Sequence, residues 1–189
     1  GPHVAVDRQQ FAEIDIAQIG EIGLDEILAL VRHQHAEGRK MRRKQRHDHR
    51  RDRQFLGQGD AVVFNTPSYS LYPVLAELQA ARAIVVPFAE DYRLPEMKIK
   101  GAKLTIVCNP NAPSGTWITP QQLGQLAEQI DGVLLIDEAY VDFAEQSCLE
   151  HAGRYPNVLV LRSMSKGYSL AGVRFGYAVA SPALIRGMS

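Results

Sequence analysis

The strongest constraint on the fold is a series of short, continuous apolar runs separated by polar loops and helical patterns. They read "AVVF" (61–64), "AIVVPF" (83–88), "LTIVC" (104–108), "GVLLID" (132–137), "NVLVL" (157–161) and "FGYAVA" (175–180). Unbroken apolar runs of this length suit strands buried on both faces. Helical spacing lies between several of them, in "YPVLAELQAARA" (72–83) and "TPQQLGQLAEQI" (119–130). In the second, Thr119 can cap and Pro120 fits the first helical position. Strands alternating with helices predict an α/β fold, a mostly parallel sheet flanked by helices.

The texture changes near Gln54. Upstream, "GLDEILALVRHQ" (23–34) places Leu24, Ile27, Leu28 and Val31 at helical spacing. It leads into "RKMRRKQRHDHRRDR" (39–53), a basic tract without an apolar period. Such a tract cannot offset its ordering entropy by burial, so residues 1–54 are expected to be atypical and partly disordered. Residues 55–189 are expected to form the folded core.

The tract is balanced elsewhere: 21 Lys and Arg face 21 Asp and Glu, for a formal net charge of zero. That balance does not select for nucleic acid or an acidic partner, and the tract lacks the interleaved aromatics of a nucleic-acid site. No apolar stretch reaches the ~20 residues that span a bilayer. Cys108 and Cys148 show no metal-ligand or C-x-x-C spacing, so neither a disulfide framework nor a metal site is expected. The opening residues lack a signal-peptide layout, and a cytoplasmic location is expected.

In a parallel sheet, ligands collect where strands end, and three polar clusters fall there: "NPNAPSG" (109–115), "DEAYVDF" (137–143) and "SMSK" (163–166). Lys166 has two readings. Desolvation beside a buried strand end would make its amine a nucleophile toward carbonyls, forming a Schiff base; or its stem packs and its head reaches water. Ser163, Ser165 and Arg174 offer hydroxyls and a guanidinium that suit a phosphate. The serines could instead satisfy backbone groups. Arg174 lies between apolar segments, which argues against a fully solvated position. A lysine beside a phosphate site suggests a phosphorylated aldehyde cofactor.

Asp137 closes an apolar run and needs a partner to remain ionised. A protonated pyridine nitrogen would serve, as would a turn or helix cap. Tyr140 could bond a cofactor's phenolic oxygen or take an ordinary partner, and Tyr69 could lie over a planar ring or pack in the core. Trp117 and Phe143 are expected to serve packing.

Together, "PSYSLY" (67–72), "DEAYVDF" and "SMSKGYSLAGVRFGY" (163–177) resemble the fold-type I pyridoxal-phosphate (PLP) aminotransferases of class I/II, and most of all their histidinol-phosphate branch. The resemblance covers about residues 55–189 and rests on three separated motifs in matching order. It implies that Lys166 binds the PLP aldehyde covalently and that Ser163, Ser165 and Arg174 hold the phosphate. It implies that Asp137 partners the pyridine nitrogen, that Tyr140 bonds the ring hydroxyl and that Tyr69 stacks on the ring. The implied reaction is transamination between L-histidinol phosphate and 2-oxoglutarate, in histidine biosynthesis, by a homodimer.

The chain departs from the family pattern in three places. Where the family has the cofactor-contacting Asn of "NPNNPTG", this chain has Ala112, which leaves Asn111 or Asn109 as substitute, Asn111 being the one expected, unless both serve turn chemistry in this Pro/Asn-rich loop. In "GLDEILAL" (23–30), Gly23 and Asp25 match a family phosphate element faintly, with Leu24 in place of a small hydroxyl residue. The family also continues into a C-terminal small domain, so the chain is expected to be a piece of the large cofactor domain. Two further readings stand beside transamination: a related PLP decarboxylase acting on an amino-acid phosphate, and a non-catalytic remnant or binding protein.

Overall fold

A computed structural model describes residues 56–188. The helical stripe at 24–31, the basic tract and the "GLDEILAL" element lie outside the described residues. The six apolar runs form six strands: β1 (Ala61–Thr66), β2 (Arg82–Pro87), β3 (Ala102–Cys108), β4 (Val133–Asp137), β5 (Val158–Ser163) and β6 (Gly176–Ala180). They make one sheet in the order β2-β1-β3-β4-β5-β6. The first five strands run parallel, and β6 is antiparallel to β5.

Helices cover both faces. Helix α1 (Leu71–Leu78) packs Tyr72, Leu75 and Ala76 against Val62, Phe64, Leu104, Ile106, Leu135 and Leu159. On the other face, α2 (Pro120–Gln129) and the short α3 (His151–Arg154) cover Val63, Val107, Leu134, Ile136, Val158 and Val160. A last helix, α4 (Pro182–Met188), follows β6. Neighbouring strand residues such as Leu134 and Leu135 thus enter opposite apolar layers, which is why these strands need no polar alternation. Burial on both faces does not extend to the margins: β2 alternates between exposed and half-buried positions, and β6 is mostly half-buried.

The start of α2 forms as expected. Thr119 Oγ1 accepts from the Gln122 N–H at 3.3 Å, Gln122 Oε1 accepts from the Thr119 N–H at 3.1 Å, and Pro120 opens the helix. Helix α1 differs from expectation, ending at Leu78 although "QAARA" has strong helical propensity. Ala80 turns left-handed at φ 52°, and the Ala81 N–H reaches back to the Ala76 carbonyl at 2.9 Å. Arg82 then joins the sheet by donating its N–H to Asp60 O at 2.8 Å. Pairing beside β1 overrides local propensity.

Both cysteines are free and buried, in opposite apolar layers. Among the described residues no group of His, Cys, Asp and Glu could hold a metal, and no helix is long and apolar enough to cross a membrane.

Candidate active site

Parallel pairing brings the C-terminal ends of β1, β3, β4 and β5 to one edge of the sheet. Cys108 is level with Asp137, and Asp137 with Leu161. Because β6 runs the other way, its first residue, Gly176, pairs with Ser163 at the same edge. The Met164 N–H donates to Phe175 O at 3.1 Å, which brings the Arg174 segment beside the "SMSK" loop. Topology therefore gathers all the motif-bearing segments at one end.

Asp137 is buried at the end of β4. Tyr72 donates its hydroxyl to Asp137 Oδ2 at 2.8 Å, and the Ala139 N–H donates to Oδ1 at 3.0 Å. Both donors are uncharged. Burial raises the Asp137 carboxyl above its ordinary value, and Glu138 adds to the rise; the bonds from Tyr72 and Ala139 offset only part of it. Burial and then the Asp137 charge push the Tyr72 phenol well above its usual value, so Tyr72 stays protonated as the donor. Burial, followed by the same carboxylate, pushes the neighbouring Cys108 thiol up to about 12.

Sequence reasoning missed Tyr72. It lies 65 residues from Asp137 and reads as one apolar position of α1. The available signal was its place in "PSYSLY", three residues after Tyr69. Tyr69 itself is 44% exposed and meets the Tyr72 ring edge-on, with centroids 5.6 Å apart. Its ring is therefore open to a further planar partner instead of being enclosed in the core.

Of its two readings, Lys166 takes the one in which the head reaches water, because the chain has left the sheet by this point and residues 166–174 are exposed. Its Nζ lies 5.5 Å from the centroid of the half-buried Tyr140 ring, a cation–π contact. Bonds from the Ser169 N–H to Lys166 O and from the Leu170 N–H to Met164 O, both 3.0 Å, close the loop on itself. Ser163 Oγ accepts from the Ser165 N–H at 3.0 Å, the backbone-satisfying role, and its own proton is left to donate. Arg174 is exposed, contrary to expectation, and left-handed at φ 57°. It ends a single 3-10 turn (Ala171–Val173) that swings outward before β6 begins. Phe143, expected to pack, is 72% exposed beside this loop's neighbour Asp142. Trp117 is half-buried.

The "NPNAPSG" loop is braced internally. Asn109 exchanges side-chain bonds with the backbone of Ile118, at 2.9 and 2.8 Å. Asn111 is buried, and its Nδ2 donates to Pro67 O at 3.0 Å and Ser114 Oγ at 2.8 Å. Its Oδ1 accepts from Ser68 Oγ at 2.8 Å. Both amide protons are thus spent on protein, so the expected use of Asn111 as a cofactor donor finds no free donor. It ties the loop after β3 to the turn carrying Tyr69, and Ala112 packs against the α1-side layer.

A buried carboxylate with neutral partners, an exposed amine over a tyrosine, hydroxyls and a guanidinium share this edge, and the comparisons agree with the class of protein they suggest. The family described as aminotransferase class I and II matches residues 51–189, and the chain belongs to it. It is 44% identical over 132 residues to histidinol-phosphate aminotransferase 1 of Trichormus variabilis, covering 69% of this chain and 38% of that protein. It is 45% identical over 134 residues to histidinol-phosphate aminotransferase of Geotalea daltonii, covering 70% and 39%. The fold matches the crystal structure of histidinol-phosphate aminotransferase from Sinorhizobium meliloti in complex with pyridoxal-5'-phosphate, with a TM-score of 0.60, 27% identity, and coverage of 69% and 38%. The chain thus spans less than half the length of the relatives it matches.

Proposed function

We propose that this chain carries the cofactor-anchoring core of a PLP-dependent aminotransferase that moves an amino group from L-histidinol phosphate to 2-oxoglutarate. The observation that carries the reading is Asp137: a buried carboxylate, held by two neutral donors, at the same sheet end as Lys166. Such a group calls for a cation, and a protonated ring nitrogen is one. The rest of the donor set fits the same molecule: an amine for an aldehyde, hydroxyls and a guanidinium for a phosphate, an open aromatic face for a ring.

Bound PLP would supply an electron-withdrawing ring that takes up negative charge from a substrate carbon. Asp137 keeps the ring nitrogen protonated, and Tyr72 holds Asp137 in place. Tyr69 packs against the ring and Tyr140 bonds its hydroxyl. Ser163, Ser165 and Arg174 bind the phosphate. Lys166 would hold the aldehyde end and would take and return the proton at the substrate carbon. Asn111 enters as a brace between loops. The branch and its substrates are supported by the names of the relatives at 44 and 45% identity. A homodimer belongs to the same proposal, by analogy with the family.

The test is absorbance spectroscopy of the chain with PLP, beside Lys166→Ala. The expected result is a visible band that requires Lys166 and shifts when L-histidinol phosphate is added. Identical spectra for the two proteins would refute the reading.

A further inference from the structure

Next to Asp137 lies a second charged group that the proposed chemistry does not use. Glu138 is buried at 1% exposure, and its carboxylate is saturated with donors. Ser147 Oγ bonds both oxygens, at 3.1 and 3.0 Å, and the Cys148 N–H bonds Oε1. Arg162 Nε donates to Oε2 at 3.0 Å. The same guanidinium reaches Ser147 Oγ at 2.7 Å and the Tyr177 hydroxyl at 3.4 Å. The backbone adds a bond from the Glu138 N–H to Leu161 O at 2.8 Å.

The placement of this network is informative. Glu138 directly follows Asp137, and Arg162 directly precedes Ser163. Tyr177 is opposite Arg162 in the β5–β6 register, three residues after Arg174. The ion pair therefore links the ends of β4 and β5, and the bond to the Tyr177 hydroxyl extends it to β6, where the proposed ring-nitrogen and phosphate residues emerge. With its carboxylate buried and its guanidinium half-buried, this ion pair is a poor device for stability, because desolvation consumes much of its attraction, but it fixes geometry well.

We infer that Glu138 and Arg162 are positioning residues: their clamp sets the "SMSK" loop relative to Asp137 and so presents the phosphate-binding groups at the right distance from the ring site. This inference rests on the proposed function. It predicts a defect at the phosphate end alone. The experiment compares affinities for PLP and for pyridoxal, which lacks the phosphate, in wild type, Arg162→Met and the double variant Glu138→Gln/Arg162→Met. The double variant leaves no unpaired buried charge and so protects the test against simple misfolding. PLP affinity is expected to fall about tenfold, the worth of one charge-assisted hydrogen bond, with pyridoxal affinity changing less than about twofold. A parallel fall for both ligands, or no fall, overturns the inference, since a merely structural role would not separate them.

Amide exchange in the cofactor-free chain distinguishes this failure from that of the function. Residues 164–170 are expected to exchange about tenfold faster in the double variant, with β4 and β5 amides unchanged. If wild type shows no lysine-dependent PLP band, the functional reading falls, and faster loop exchange still supports the clamp. Unchanged exchange overturns the clamp whatever the cofactor result.

Discussion

Asp137 and Lys166 stand at the same edge of one sheet and are built in opposite ways. Asp137 is enclosed: strand, helix and turn surround it, and Tyr72 and Ala139 hold both its oxygens. Lys166 and Arg174 stand exposed on a loop whose hydrogen bonds are mostly its own. In a low-dielectric corner a carboxylate is costly until a cation arrives, and then the attraction is strong. An exposed cation costs little and contributes little. Stability and binding should therefore be coupled at Asp137 and separable on the loop.

Asp137→Asn should give the largest effect. The donor-driven shift of the PLP band should slow by roughly 100-fold or more, the scale of losing a main electrostatic group. The same variant tests the coupling through pH. The folded carboxyl takes up its proton more readily than the unfolded one, so the wild-type chain should lose stability as pH rises through the raised value. Chemical unfolding across pH should show that slope in wild type and a flatter one in the variant; equal slopes would break the comparison.

Tyr72→Phe comes next. It removes the bond to Asp137 Oδ2 and should cost about 1–3 kcal/mol by denaturant unfolding. The loss should grow as pH rises through the raised Asp137 value, because the missing bond favours the ionised carboxylate and its loss raises the Asp137 value further.

Smaller effects belong to the loop. A Cβ on Gly167 would come within 2.7 Å of the Asp142 Cβ and collide with its carboxylate as well. Gly167→Ala should destabilise by about 1 kcal/mol, and Asp142→Ala in the same chain should recover most of it. Arg174→Gly should stabilise the cofactor-free chain by roughly 0.5 kcal/mol, since glycine adopts φ 57° without strain. It should still weaken PLP binding about tenfold. A variant that gains stability while losing cofactor would separate the two properties most cleanly.

Much of this architecture was legible in one dimension. The four inner runs became β1, β3, β4 and β5 because a strand buried on both faces must be apolar at every position, whereas β2 and β6 lie at the sheet margins and are exposed or half-buried along most of their length. Thr119 and Pro120 marked the start of α2 because capping is a local event. Asp137, Lys166, Ser163 and Arg174 stood out because polar groups next to such strands call for a reason. Other features depend on partners distant in the chain. The end of α1 follows from pairing beside β1, and the support of Asp137 comes from a tyrosine that resembles any core aromatic. The exposure of Lys166 and Arg174 follows from where the chain leaves the sheet.

The sequence by itself determined the class of fold and the chemical types available at the strand ends, since apolar periodicity and residue chemistry are written residue by residue. Only the tertiary structure decided which of those groups are buried, which are braced and which stand open, because burial and hydrogen bonding are made between segments and have no local code.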